Sequence, residues 1–221
     1  MHVAELWRYP VKSLRGEPLR EAEVRPDGIA GDRLVQVVDP DGELITARVR
    51  PDLLGLQASL SADGQPLVDG HLWTDAEAVE LVRRATRNGS QLVDAVDRER
   101  RFDESPLMVV TEGAAEAFGA DRRRFRPNVV IAGVEGFGER SWPEGAVLRA
   151  GEVEIRLGHL CERCVMTTFD PDTLEQDAGV LRRINEELDR RFAWNSWVAR
   201  PGRIAVGDPV ELVDQQPGAG N

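Results

Sequence analysis

The sequence predicts a β-rich α+β fold with a barrel-like core. Most apolar runs are short and end at proline, glycine or aspartate, as in strands joined by tight turns. Helical apolar spacing is confined to a few segments. Strand and helix patterns do not alternate regularly, which argues against a doubly wound parallel sheet. A chain of 221 residues can bury such a core without disulfides or a structural metal.

The N-terminal half contains strand and helix signals. An apolar strand starts at Val3 and stops before Pro10. Residues 34–46 form a predicted hairpin, because proline and glycine stand at favoured positions of its central turn. Residues 75–84 are predicted as a helix, since apolar side chains recur there at intervals of three and four.

The C-terminal half contains two predicted helices and more strands. Thr111 is expected to cap a helix that runs to about Phe118. A second, amphipathic helix places four apolar side chains on one face, namely Leu181, Ile184, Leu188 and Phe192. The predicted strands cover residues 107–110, 128–132, 153–157, 194–198, 203–206 and 210–213.

The polar stretch 83–101 separates the two halves and is the predicted place for a boundary. We therefore expect an N-terminal β-rich region over residues 1–95 and a second domain over residues 96–214. Residues 215–221 form a predicted frayed tail.

Composition limits the classes of partner. The chain has 28 basic and 39 acidic side chains, a net charge of −11, which disfavours nonspecific nucleic-acid binding. No apolar run is long enough for a membrane span, and the N-terminus lacks the pattern of a signal peptide. Two cysteines are too few for a secreted disulfide framework. We expect a cytoplasmic protein with no nucleic-acid and no membrane partner.

One lysine, Lys12, stands among 27 arginines. Arginine evidently serves as the general cation of this sequence. A retained lysine is therefore a candidate for chemistry that needs a compact ammonium group rather than a planar guanidinium group. Chance retention is the alternative.

Cys161-Glu162-Arg163-Cys164 is a CxxC motif with several possible roles. A zinc site needs a second ligand pair, which the sequence lacks. A thioredoxin-type dithiol should open a helix, whereas a strand pattern precedes this pair. One thiolate could instead be a soft ligand for a transition metal brought by an organic cofactor, with Arg163 favouring the ionised form. Two inert buried cysteines are the remaining alternative.

Three short segments place cations beside turn residues or at a strand edge: Tyr9-Pro10-Val11-Lys12-Ser13, Gly31-Asp32-Arg33 and Arg124-Phe125-Arg126-Pro127-Asn128. Loops on a rigid sheet can aim such cations at one point, which suits phosphate and heterocycle binding. Each segment alone is equally typical of a solvated surface.

Together with the CxxC motif, these segments resemble the MOSC family, which is named for the C-terminal domain of molybdenum-cofactor sulfurase. The resemblance spans nearly the whole chain and includes Thr46-Ala47-Arg48 and Asp170-Pro171-Asp172. It implies a MOSC β-barrel core with a smaller N-terminal MOSC-associated β-rich subdomain. It also implies a molybdenum cofactor, that is, molybdenum held by molybdopterin.

The resemblance assigns roles to individual residues. Cys164 matches the molybdenum ligand and is therefore the predicted catalytic residue, whereas Cys161 matches a variable neighbour. The predicted cofactor contacts are Lys12, Ser13 and Arg33 for the phosphate and pterin, Arg126 and Asn128 for the pterin, and Ser105, Arg163 and Asn195.

The implied activity is reduction of N-hydroxylated or N-oxygenated small molecules by two-electron removal of oxygen. Electrons would come from a separate reductase, a flavin, iron–sulfur or haem protein, because the sequence has no cluster, flavin or haem motif. A sulfur- or cofactor-carrier that uses a cysteine persulfide is the alternative, and a metabolite-binding protein without turnover is a third.

The sequence departs from the family pattern at a few positions. Leu174 and Ala193 stand where glycine is usual, and Glu162 places a carboxylate beside the predicted metal ligand. The segment between Gly70 and Arg101 is short, so the wall that faces the substrate is expected to differ.

Overall fold

The computed structural model describes residues 1–87, 89–95 and 100–213. Its N-terminal strands are short and are followed by a single α-helix. They are β1 (His2–Arg8), β2 (Glu17–Leu19), β3 (Glu21–Arg25), β4 (Gly28–Ile29), β5 (Val35–Val38), β6 (Leu44–Ile45), β7 (Ala58–Leu60), β8 (Pro66–Val68) and β9 (His71–Leu72), with α1 (Ala76–Thr86) after them.

The rest of the chain contains the longer strands and two further helices. In order, these are β10 (Gln91–Asp94), β11 (Leu107–Thr111), α2 (Glu112–Phe118), β12 (Val129–Ala132), β13 (Val147–Ala150), β14 (Val153–Glu162), α3 (Ala178–Glu187), β15 (Arg191–Arg200), β16 (Gly202–Ala205) and β17 (Val210–Val213). Short 3-10 helices occupy Pro51–Gly55, Arg122–Phe125, Gly138–Ser141 and Val165–Thr168.

An eight-stranded mixed sheet forms the largest layer, in the order β17-β13-β14-β15-β11-β12-β1-β2. Only the β11–β12 pair is parallel among its described pairings, and α2 makes the crossover between those strands. The sheet curls towards itself. The Val3 amide donates a hydrogen bond to the Asp208 backbone oxygen, and the Val210 amide donates one to the Met1 backbone oxygen. This contact is an isolated bridge rather than a continuous strand pair, so the described pairings do not form a closed barrel.

Three smaller sheets complete the fold, in the orders β10-β5-β6, β16-β3-β4 and β7-β8-β9. In the second of these, β16 from the end of the chain pairs with β3 from its beginning. The two halves of the sequence are therefore joined through a shared sheet as well as through side-chain packing.

Three apolar clusters stabilise these layers. The largest lies within the curled sheet, a second packs α1 onto β5 and β8, and a third packs α2 and α3 around aromatic rings. In the third, the rings of Phe125 and Phe192 stack with centroids 4.0 Å apart. Phe125 immediately precedes Arg126, so this stack fixes the start of the loop that carries Arg126.

The structure confirms the predicted β-rich α+β fold and the principal predicted elements. Thr111 caps α2 by accepting a hydrogen bond from the Ala114 amide. The polar stretch 83–101, the predicted place for a boundary, also contains a strand that was not predicted: β10 pairs with β5 and inserts Leu92 into the second cluster.

The predicted helical face is wrong at Phe192. Helix α3 ends before Leu188, because Asp189 and Arg190 adopt left-handed backbone angles with φ of 51° and 66° that turn the chain into β15. Phe192 still packs with the helix, but from a strand. The predicted tail over residues 215–221 lies outside the described residues, and the division of the chain at residue 95 stays a prediction.

Within the part of the chain that is described, no helix is long and apolar enough to cross a bilayer.

A bulge in β15 explains one departure from the family pattern. Leu160 pairs with Trp194 and Glu162 pairs with Arg191, so β15 contains one more residue than β14 over this interval. Ala193 lies in the bulge with φ of 71°, a conformation that glycine adopts at lower cost. Leu174, at the other predicted glycine position, likewise has φ of 61°.

Replacing Ala193 by glycine should be nearly neutral, within about 0.5 kcal/mol, because relief of the left-handed conformation offsets the loss of a buried methyl group. The matched variant Ala150→Gly, at a buried position of β13 without a positive φ, should lower the free energy of unfolding by about 1–2 kcal/mol. Urea denaturation measures both values. Equal losses in the two variants would show that the bulge stores no backbone strain.

Candidate functional site

A cavity of about 190 Å³ opens between the N-terminal loops and the ends of the large sheet. We call it the cysteine cavity. The structure brings all nine predicted site residues to its wall: Lys12, Ser13, Arg33, Ser105, Arg126, Asn128, Arg163, Cys164 and Asn195. These residues come from separate stretches of the sequence, so their convergence is a result of the fold. Their individual roles towards a ligand stay predictions.

The buried carboxylate of Asp32 joins the loops that form the cavity. Its Oδ1 accepts a 2.6 Å hydrogen bond from the Tyr9 amide, and its Oδ2 accepts one of 3.3 Å from Asn128 Nδ2. Arg33 forms an ion pair with the same oxygen, Oδ2. Arg101 donates to the backbone oxygen of Asp32 at 2.7 Å. One fully buried acid therefore fixes the positions of two predicted cofactor contacts, Arg33 and Asn128.

Three of the predicted cofactor contacts have a left-handed backbone. Ser13, Arg33 and Arg126 have φ of 72°, 50° and 52°, although none is glycine. Such conformations cost about 1–2 kcal/mol each and persist only where the surroundings impose them. In each case the strained residue lies in a tight loop close to a strand or 3-10 helix, and its side chain reaches the cavity.

The lone lysine forms a charge cluster on one side of the cavity. Lys12 is 5% exposed, and its Nζ lies 2.9 Å from Asp103 Oδ1. The other oxygen of Asp103 lies 2.8 Å from Arg48 Nη2. Burial lowers the pKa of Lys12, while the Asp103 carboxylate opposes this effect. One carboxylate thus bridges two cations that would otherwise repel each other.

The two cysteines occupy different environments. Cys161 is 9% exposed, and burial raises the pKa of its thiol despite the nearby Arg163. Arg163 Nη1 lies 3.3 Å from the Cys161 Sγ. Cys164 is partly exposed and follows the end of β14, just before a 3-10 helix. Burial therefore keeps Cys161 protonated, which leaves Cys164 as the better metal ligand of the pair.

The cation beside Cys164 is Arg48. Burial opposes its charge, yet the Asp103 carboxylate and the Cys164 side chain raise the pKa of Arg48 overall. The sequence predicts Arg163 in this supporting role. The structure places Arg163 against Cys161 instead, with its Nη2 donating to the Phe125 backbone oxygen at 2.9 Å.

Two cations of the cavity have unused hydrogen-bonding capacity. Arg126 lies over the Tyr9 ring, with its Cζ 4.2 Å from the centroid, and no carboxylate of the described chain comes within 4.0 Å of it. Burial lowers its pKa. The Nε of Arg163 is buried without a hydrogen-bond partner. Unpaired buried donors are rare in folded proteins. The Arg163 Nε is sealed from the cavity, whereas the Arg126 guanidinium lines it and can donate to an anionic or heterocyclic ligand.

The predicted contacts Ser105 and Asn195 belong to a polar chain at the cavity edge. Ser105 Oγ donates to Asn195 Oδ1 at 3.0 Å, and Asn195 Nδ2 contacts Glu104 Oε2 and lies 3.2 Å from His159 Nε2. Both His159 and Glu104 are about half exposed. This series of polar side chains therefore connects the cavity wall to the surface.

Almost all of the hydrogen-bonding capacity of the Asn128 side chain is used within the protein. Its Nδ2 donates to the Trp7 backbone oxygen and to Asp32, and its Oδ1 accepts from the Met108 amide at 3.1 Å. Both donor positions are used, which leaves one lone pair on Oδ1 for a ligand.

Sequence reasoning named no site role for several residues of the cavity. Arg48 and Asp32 lay within quoted motifs, but only the fold shows what they touch. Asp103 and Glu104 directly precede Ser105. Two acidic residues beside a predicted cofactor contact were the sequence signal that they lie at the site.

The donor set fits a metal that arrives with its own organic ligand. No group of three or more His, Cys, Asp or Glu side chains in the described chain could hold a metal ion. One thiol beside several cations is instead suited to a phosphorylated, metal-carrying heterocycle. Six cations and three acids line the cavity: Lys12, Arg33, Arg48, Arg124, Arg126 and Arg163 against Asp103, Glu104 and Glu162.

Comparison with known proteins gives matches over almost the whole chain. Residues 1–102 match the model of the MOSC N-terminal beta barrel domain, and residues 102–211 match that of the MOSC domain. The chain is 28% identical to mitochondrial amidoxime-reducing component 1 of Homo sapiens over 96% of its own length and 83% of that protein. It is 29% identical to mitochondrial amidoxime reducing component 2 of Macaca fascicularis over 94% and 82%.

The human alignment extends over 291 positions, more than the 221 residues of this chain, so that relative contains segments that this chain lacks. Among solved structures, the YUAD protein of Bacillus subtilis superposes with a TM-score of 0.50 at 13% identity. That match covers 97% of this chain and 96% of the other, and it supports the fold alone.

Replacement of Asp103 by asparagine should make stability less dependent on acid pH. Although burial opposes its charge, Lys12 and Arg48 hold the pKa of Asp103 below the usual 3.8. A carboxylate with a lowered pKa stabilises the fold above about pH 4, and this contribution is lost as the pH falls through the lowered value. We therefore expect Asp103→Asn to cost up to about 1 kcal/mol near neutral pH.

The difference between wild type and Asp103→Asn should shrink and disappear as the pH falls through the lowered pKa of Asp103. Urea unfolding at a series of pH values measures it, with Asp63→Asn at an exposed turn as the control. A difference that is constant with pH would contradict the ionic role of Asp103.

Proposed function

Because this chain belongs to the MOSC family, we propose that it binds a molybdenum cofactor in the cysteine cavity and reduces N-oxygenated small molecules. The single observation that carries the proposal is the convergence of one partly exposed thiol with six cations, in a chain of net charge −11. The names of the relatives, amidoxime-reducing components, supply the reaction class.

Cys164 is the proposed metal ligand and catalytic residue. Its partial exposure lets a metal reach its sulfur, whereas Cys161 is buried and burial raises the pKa of its thiol.

The cationic side chains are proposed to hold the organic part of the cofactor. Lys12, Ser13 and Arg33 would receive the phosphate, and Arg126 would receive the pterin, because its guanidinium has no anionic partner of its own. Arg163 would add positive charge at the cavity wall. Asn128, Ser105 and Asn195 would position neighbouring groups and offer the lone pairs that their internal hydrogen bonds leave free.

Bound molybdenum would supply two-electron oxygen removal from an N–OH group, the chemistry that no protein side chain provides. Loss of that oxygen as water consumes two protons. Glu104 and His159 lie where protons could pass between solvent and the cavity, with Glu104 Oε2 3.5 Å from His159 Nε2.

We infer that the electrons come from another protein. With two cysteines, the chain cannot supply the four ligands of an iron–sulfur cluster. We therefore propose a separate flavin, iron–sulfur or haem reductase as the partner. The cytoplasmic location stays a prediction.

Substitution of the two cysteines tests the ligand assignment. Cys164→Ser should lower the rate of reduction of benzamidoxime by at least about 1,000-fold, because the metal loses its protein ligand. Cys161→Ala should retain most of the activity, since this thiol is buried and protonated. The measurement uses protein made in a host that synthesises the cofactor, with a suitable electron donor.

Metal and pterin content provide a second measurement on the same preparations. We expect about one molybdenum and one pterin per wild-type chain. Sulfane sulfur on Cys164 without molybdenum would instead support the persulfide carrier, and loss of activity in Cys161→Ala alone would overturn the ligand assignment.

Removal of the lone lysine should weaken retention of the cofactor. Lys12→Ala should release pterin during gel filtration at least about tenfold faster than wild type, because a buried charge-assisted contact to phosphate is lost. Arg20→Ala, which changes an exposed cation outside the cavity, should retain pterin like wild type. Equal retention in both variants would contradict the phosphate role of Lys12.

A further inference from the structure

A second cavity, of about 240 Å³, lies beside the cysteine cavity and shares part of its wall. We call it the arginine cavity. Arg124, Arg126 and Met166 line both cavities, whereas Arg15 lines only the second. The second cavity contains no cysteine in its lining and so is not part of the proposed metal site.

The walls of the arginine cavity are flat and apolar. Trp7, Tyr9, Leu54, Met166 and Phe169 contribute to them. Gly16 allows this close packing, because a methyl group there would lie 2.4 Å from the Tyr9 ring atom Cδ1. The shape and chemistry of these walls suit an aromatic ring.

The cations of this cavity differ in how far they are neutralised. Arg123 lies 2.7 Å from an Asp121 oxygen and 2.6 Å from an Asp172 oxygen. Arg124 lies 3.0 Å from Asp170 Oδ2. These two guanidinium groups already have anionic partners, so they have little capacity for another.

Arg15 has no such partner. Its Nε is buried without a hydrogen bond, and no carboxylate among the described ranges lies within 4.0 Å of its guanidinium. Arg123 and, to a smaller extent, Arg15 lower the pKa of Asp172, but that carboxylate already forms an ion pair with Arg123. Arg126, on the shared wall, also lacks an ion pair within the described ranges. The Arg15 Nε is sealed from the cavity, but the terminal nitrogens of Arg15 have no hydrogen bond to any described residue, which leaves them able to donate to a ligand oxygen.

We propose that the arginine cavity is a second small-molecule site, which binds a planar aromatic carboxylate. The ring would lie between the aromatic walls, and the carboxylate would accept from Arg15, with Arg126 adding positive charge. A volume of about 240 Å³ admits a ligand of one or two rings. The site shares Arg126 with the proposed pterin site, but Arg15, which would bind the carboxylate, lines only the arginine cavity.

Calorimetric titration of the full chain with 2-naphthoate and with the neutral 2-naphthamide tests the proposal. The wild type should bind the carboxylate at least about tenfold more tightly than the amide, because only the carboxylate forms a charge-assisted hydrogen bond. No binding, or equal binding of the two probes, would overturn the proposal. This comparison needs no variant, so it stands even if a substitution unfolds the protein.

Two variants locate the site. Arg15→Gln should weaken 2-naphthoate binding at least about tenfold and leave 2-naphthamide binding unchanged, whereas Arg20→Gln, an exposed control, should change neither. Lys12→Gln should retain 2-naphthoate binding, because Lys12 lines only the cysteine cavity. Loss of binding in Lys12→Gln, or none in Arg15→Gln, would place the probe elsewhere and overturn the assignment.

Discussion

The buried carboxylate of Asp32 is the contact on which the site geometry depends. It accepts from the Tyr9 amide and from Asn128, and it pairs with Arg33, so it joins three stretches that are separate in sequence. A buried carboxylate is tolerated only with such partners, and removal of any one of them would leave its charge less well compensated. The interaction therefore specifies one arrangement of the loops rather than simply adding to stability.

The distribution of charge follows from the same arrangement. The chain as a whole is acidic, yet the cysteine cavity is lined by twice as many cations as acids. Keeping these cations together requires internal counter-charges, and Asp103 supplies one between Lys12 and Arg48. The left-handed backbone of Ser13, Arg33 and Arg126 is a further cost of the same convergence.

Much of this could be predicted from the sequence, because short strands, turn residues and motifs are local signals. Lys12 stands out by residue type and the CxxC motif by spacing, whereas the choice of Cys164 over Cys161 came from the resemblance to the MOSC family. The contact of Arg48 with Cys164 could not be predicted, since it depends on how two distant loops pack. Similarly, β10 was missed because its pairing with β5 outweighs a polar local composition, and Phe192 was misplaced because a left-handed turn interrupts the helical period.

The pairing of β16 with β3, together with the bonds between β1 and residues 207–210, has a consequence for biosynthesis. During translation β3 emerges long before β16, and its edge stays unpaired until that partner strand has been synthesised. Folding that relies on such distant pairings is slow and exposes the nascent polypeptide to aggregation.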